Sequence, residues 1–232
     1  MGFLYWDKYY FLLCVPAFIF ALIAQSGVKR AYAKYSKMGN PRGITGAEAA
    51  RRVLEFYGIN NVTIEMVSGQ LSDHFDPKTN VIRLSQGVYG SSSIAAVGVA
   101  CHEAGHAAQY AQGYFPIKLR AAIIPLTNFG SSAGILLTIL GLVLSFEPLI
   151  SIGLLLYFFI VVFQLVTLPV EFNASRRAVK VASETGMVDS DDLPKVKKML
   201  SAAAMTYVAA LAVALAQFLR LFMRVNNSRD RR

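Results

Sequence analysis

The sequence predicts a mainly α membrane protein: three or four transmembrane helices carrying a small α+β subdomain that contains a β-hairpin. Three observations lead there. Of the 232 residues, 55% are apolar and only 16% are charged, against roughly one quarter charged in an ordinary soluble domain. Long uncharged runs alternate with polar stretches. One of those stretches, residues 40–120, changes from helical periodicity to the residue-by-residue alternation of strands and back again.

The net charge of +9 raises nucleic-acid binding as a possibility. The lysines and arginines instead flank the apolar runs, as the positive-inside rule places them, and form no phosphate-binding stripe. No nucleic-acid partner is expected; a lipid bilayer is. Two cysteines, Cys14 and Cys101, are too few for a disulfide framework.

The first apolar run, about residues 9–27, carries no charge and is long enough to span. Only Asp7 and Lys8 precede it closely, whereas Lys29, Arg30, Lys34 and Lys37 follow. That flank reads as stop-transfer, so residues 1–28 form an uncleaved anchor. Residues 29–122 form the soluble subdomain. Thr45 caps a helix through Glu48, Arg52 and Phe56 that ends near Gly58. Residues 62–67, VTIEMV, alternate as a strand; SDHFDPKTN is dense in turn formers; VIRLS, residues 81–85, is a second strand. Gly87 to Gly90 is a turn. Ser93 then caps a helix to about Gln112.

Two spans follow, about residues 123–146 and 149–170, with Glu147-Pro148 at the turn. Residues 171–200 return to charged composition and are read as a separate helix and linker. The last apolar stretch, about residues 202–219, is long enough to span. The arginines after it (Arg220, Arg224, Arg229, Arg231 and Arg232) would then lie outside, against the positive-inside rule. A helix lying in the interface is the alternative.

The chemistry concentrates in the helix from Ser93. HEAGH sets His102 and His106 four residues apart on one helical face, where both rings can address one ion. Glu103 adjoins the first histidine, in reach of a water at an open metal position, where its carboxylate can take a proton. Gly105 keeps the surface between the ligands small. His102 and His106 are two of only 3 histidines. Cys101 points about 100° away from His102 and reads as a small buried apolar residue.

Two histidines do not complete a catalytic zinc site, which takes three protein ligands and an open position. His74, Glu171 and, more remotely, Glu147 or Glu184 are the candidates. The hairpin of spans favours Glu171, because it returns the chain to the side from which the motif left. His74 could instead stabilise an oxyanion or simply sit in the turn. Asp73 or Asp76 could orient a ligand histidine, although Asp76 beside Pro77 also suits a turn. Val81, Ile82, Arg83 and Leu84 are expected to form an edge strand, on which an extended peptide could pair, or an ordinary sheet edge.

HEAGHAAQ, SDHFDPKTNVIRLS and PVEFNASRRA together resemble the bacterial neutral zinc metallopeptidases called YugP-like, over nearly the whole chain. More distantly, the chain is similar to the HtpX and CAAX-prenyl protease clan. The resemblance implies a zincin-like catalytic subdomain with Zn2+ on His102, His106 and Glu171, and Glu103 as general base. It implies a bacterial membrane and a site on the cytoplasmic side, in agreement with the basic flanks, and it gives a reaction class without a target. Peptides or unfolded segments of membrane proteins near the cytoplasmic face of the plasma membrane are the expected substrates. Regulatory membrane partners are left open. Arg176 falls where the clan has an arginine and would support the site. Ser175 stands where the clan has an aspartate and is counted with Arg176 as supporting the site, with Asp73 or Asp76 left to supply the carboxylate this helix lacks. The expected activity is that of a zinc endopeptidase of the gluzincin type. The rival is a non-catalytic zinc-binding scaffold or sensor, closed by His74 as a fourth ligand.

Overall fold

The computed structural model describes residues 7–229. Met1 to Trp6, which begin the anchor, and Asp230, Arg231 and Arg232 of the basic tail lie outside the described residues. A π-helical turn over Tyr10–Cys14 leads into α1, Val15–Tyr35. There follow α2 (Gly46–Phe56), β1 (Thr63–Val67), β2 (His74–Asp76), β3 (Val81–Ser85), α3 (Gln86–Tyr89), α4 (Ile94–Ala111), α5 (Phe115–Leu144), α6 (Glu147–Glu184) and α7 (Leu193–Arg229). Residues 25–118 and 169–205 make one compact unit; residues up to 24, 119–168 and 206 onward make another.

The unit holding residues 25–118 and 169–205 is built around α4. Its fully buried face includes Ala96, Ala100, Ala104 and Ala108, and these small side chains let neighbouring elements approach closely. Ser93 accepts from the Ala96 N–H and starts the helix. α2 begins with a complete capping box, Thr45 with Glu48, the reciprocal pairing that satisfies two orphan amides. It ends on Tyr57, and Gly58 follows at φ +66°, a backbone that glycine adopts without strain.

The sheet has the order β1-β3-β2. β1 runs parallel to β3, from Thr63↔Val81 to Val67↔Ser85, and β2 runs antiparallel to β3, with Phe75↔Ile82 at its centre. The hairpin is therefore β2–β3, closed by the DPKTN turn, and it includes three residues that the sequence reads as turn. The expectation that Val81, Ile82, Arg83 and Leu84 form an edge strand is corrected. β3 is paired on both sides, and Val81, Ile82 and Leu84 are buried. Arg83 ties the sheet together, 3.2 Å from Asp76 and 3.6 Å from Glu65. Residues 86–89 are a helical turn rather than an open one, because Val88 drops into the core.

α6 runs unbroken from the span through Glu171 to Glu184, where the sequence reading divides it at residue 170. Hydropathy falls there, but nothing in EFNASRRA breaks a helix.

In the other unit, small residues bring α5 against α6. A side chain on Gly130 would meet the Leu156 carbonyl oxygen at 2.6 Å, and one on Gly134 the Gly153 carbonyl at 3.1 Å, the small-residue packing typical of helices in lipid. Asp7 accepts from both Arg220 and Arg224 at 3.1 Å. Among the described residues, four helices are long and apolar enough to cross a membrane: Tyr10–Tyr35, Phe115–Leu144, Glu147–Glu184 and Leu193–Asn227. The last apolar stretch is thus one of the four, and Asp7 offsets two of the arginines that follow it.

Candidate metal centre

α4 presents the two motif histidines on one face, with ring centroids 4.7 Å apart and planes at 85°. α6 supplies Glu171, which is 3% exposed. Its Oε2 lies 3.2 Å from His102 Nε2 and 3.5 Å from His106 Nε2. Ligand atoms of all three residues fall within 4.8 Å of one another. Zinc at about 2.0–2.1 Å from tetrahedral ligands separates them by roughly 3.3–3.4 Å, so the two edges that meet at Glu171 have the lengths of a zinc site. Two imidazoles and one carboxylate are also the donor set of a catalytic site that leaves one position open.

Each histidine is held from behind. Ser175, one turn beyond Glu171, sets its Oγ 3.2 Å from His102 Nδ1. Behind His106 stands Gln109, fully buried. Gln109 Nε2 donates to the Val170 carbonyl at 2.8 Å and to Asn173 Oδ1 at 2.9 Å. Those bonds turn its Oε1 towards His106 Nδ1, 3.0 Å away. An amide oxygen only accepts, so Nδ1 carries a proton there, and Nε2, which faces Glu171, is the nitrogen that could serve a metal. Arg177 extends this network, donating to Asn173 Oδ1 at 2.7 Å and to Gln112 Oε1 at 2.6 Å.

Gln109 has no place in the sequence reading, where it passes for a polar residue on an alanine-rich helix. The available signal was its spacing: three residues beyond His106, it must share that histidine's face.

Burial draws the Glu171 carboxyl upward, but hydrogen bonds from His102 and His106 outweigh it and hold the group well below the usual carboxylate range. Burial pushes Glu103 up to about 6, against the opposing charge of His102, while the Phe75 N–H on β2 faces its carboxylate and stabilises the charged form. Burial also pushes Cys101 up to about 12. A thiol held protonated is a poor metal ligand.

The remaining candidates fall elsewhere. Asp73 accepts from the Ser85 N–H at 2.7 Å and from its hydroxyl, and Asp76 from the Lys78 N–H and the Thr79 hydroxyl. The expectation that either orients a ligand histidine is corrected, because Ser175 and Gln109 occupy those positions. His74 is exposed on β2, its Nδ1 2.8 Å from the Ser72 carbonyl, and it is not part of the converging group. Arg176 is exposed and turns back to the Phe172 carbonyl.

Comparison with known proteins places nearly the whole chain in a family. The family model described as "Putative neutral zinc metallopeptidase" matches residues 10–226. The chain is 44% identical over 221 residues to the "Putative membrane protease YugP" of Bacillus subtilis (strain 168), covering 95% of this chain and 98% of that one. No solved structure matches it.

Proposed function

This chain belongs to the neutral zinc metallopeptidase family, and from that premise we propose that it is a membrane endopeptidase of the gluzincin type, with Glu103 as its general base. The observation that carries the reading is the convergence of His102, His106 and Glu171, with the two edges that meet at Glu171, 3.2 and 3.5 Å, suiting tetrahedral zinc.

Zinc held there would supply Lewis acidity, lowering the pKa of water and polarising a peptide carbonyl. The protein's own part is positional. His102 and His106 offer Nε2, each ring held through Nδ1 by Ser175 or Gln109. Glu171 brings negative charge from a second helix. Glu103 follows His102 directly without joining the ligand group; its carboxylate takes a proton from the attacking water and delivers it to the leaving nitrogen. The outer edge of β2, beside Glu103, is the strand edge available to an extended peptide, in place of β3. Peptides or unfolded segments of membrane proteins are the proposed substrates, met on the cytoplasmic side of the bacterial plasma membrane. The basic residues after α1's apolar run support that sidedness.

The test is to measure bound zinc and casein hydrolysis in detergent for the wild type, Glu103→Gln and Glu171→Ala. Glu103→Gln retains zinc and loses hydrolysis, whereas Glu171→Ala loses both. Wild-type hydrolysis by Glu103→Gln removes the general base from the mechanism, and full zinc affinity in Glu171→Ala removes the third ligand.

A further inference from the structure

α6 and α7 carry a second feature in the unit that holds the metal triangle. A groove of about 1000 Å³ opens between them, with Phe172, Leu200 and Met205 as its apolar lining and Arg176, Lys180 and Lys197 as its charged lining. No acidic residue lines it. Ligand sites run from roughly 300 to 1,000 Å³, so this one has room for an amphiphile and not merely an ion.

Its chemistry is divided. Phe172 and Met205 remain 39% and 41% exposed, large apolar side chains left open beside three cations. Arg176 donates only to the Phe172 carbonyl of its own helix, and Lys180 lies over the Phe56 ring at 6.0 Å. Among the described residues, none of the three cations is in an ion pair. Along both helices, Phe172 and Met205 stand where charged sequence gives way to an uncharged apolar run. At that transition a phosphate and an acyl chain are covalently joined in a lipid.

Ser175 also lines the groove, and it meets His102 at Nδ1, the ring nitrogen turned away from Glu171. The groove therefore lies behind the ligand, and a peptide positioned for cleavage belongs on the opposite side. An uncleaved acidic peptide matches the cations but not the open apolar lining.

We propose that this groove binds one anionic phospholipid, its phosphate among Arg176, Lys180 and Lys197 and its acyl chain along Phe172, Leu200 and Met205. The site is independent of the peptidase reading.

Native mass spectrometry of the full chain in detergent tests it, titrating phosphatidylglycerol, phosphatidylcholine, inorganic phosphate and an oligoglutamate peptide. Phosphatidylglycerol binds one to one and more tightly than the other three. Each basic residue near an anionic headgroup contributes about fivefold in affinity, so Lys180→Gln with Lys197→Gln weakens phosphatidylglycerol by about 25-fold. The double arginine variant, which keeps the charge, retains binding and guards against a folding artefact. Unchanged affinity in the glutamine variant, lost affinity in a folded arginine variant, or equal binding of phosphatidylcholine each overturns the proposal. Tighter binding of free phosphate or of the peptide overturns it as well.

Discussion

Gly105 lies between His102 and His106 and gives the sharpest perturbation of the candidate metal centre. A β-carbon added there would stand 2.9 Å from the Ala174 carbonyl oxygen and 3.3 Å from its Cα. Carbon atoms pack at about 3.5–4.0 Å, so α4 and α6 must part by a few tenths of an ångström. The obstacle is backbone, which cannot rotate aside. Overpacking of this kind costs roughly 1–3 kcal/mol, and alanine's better helix propensity returns about 1. The net loss of stability is thus modest, on the order of 1 kcal/mol.

Metal binding suffers more, because Ala174 lies one turn beyond Glu171 and the shift moves the third ligand. Zinc sites tolerate about 0.2 Å of error, and loosening a ligand's support costs about 10- to 100-fold in affinity. Gly98→Ala is the control: its β-carbon meets chiefly the flexible end of Met199, at 2.7 Å. Competition with a chromophoric chelator measures both variants in detergent. A folded Gly105→Ala protein that binds zinc as the wild type does would refute the reasoning.

Gln109→Ala should lower zinc affinity by about 10- to 100-fold, while Gln109→Glu, which keeps an acceptor for His106, recovers part of it; chelator competition that ranks the two equal would remove Gln109 from the site. Asp7→Asn removes the carboxylate that stands 3.1 Å from both Arg220 and Arg224, a loss of about 3 kcal/mol and hence roughly 6–12 °C in melting temperature; a melt within about 1 °C of wild type would contradict it. Cys101 is fully buried and its thiol stays protonated until about pH 12. Iodoacetamide at pH 8.5 should therefore modify it only in unfolded protein, and rapid native alkylation would show the burial to be wrong.

Where local patterns carry the information, the sequence is legible. Thr45 and Glu48 announce a capping box because the pairing is local. HEAGH announces its face because helical spacing is rigid. Glu171 is reachable by reasoning because a hairpin of spans must bring the chain back. β2 escapes notice because three residues beside DPKTN offer no alternation to read. β3 is taken for an edge although Val81, Ile82 and Leu84 place apolar groups on both faces, a pattern that belongs to a strand covered on both sides. The hydropathy boundary at residue 170 says where lipid-like sequence stops, not where the α6 hydrogen bonds stop. Ser175, which the sequence offers as a support, and Gln109, which only its spacing from His106 could have flagged, meet the imidazoles; which oxygen does so depends on helix packing.

His102 and Glu171 are 69 residues apart in the chain, with two apolar helical stretches between them. During synthesis the histidines leave the ribosome long before their carboxylate partner exists. The three side chains that could hold a metal therefore converge only once α6 has come back to α4, and chain order decides when that group is complete.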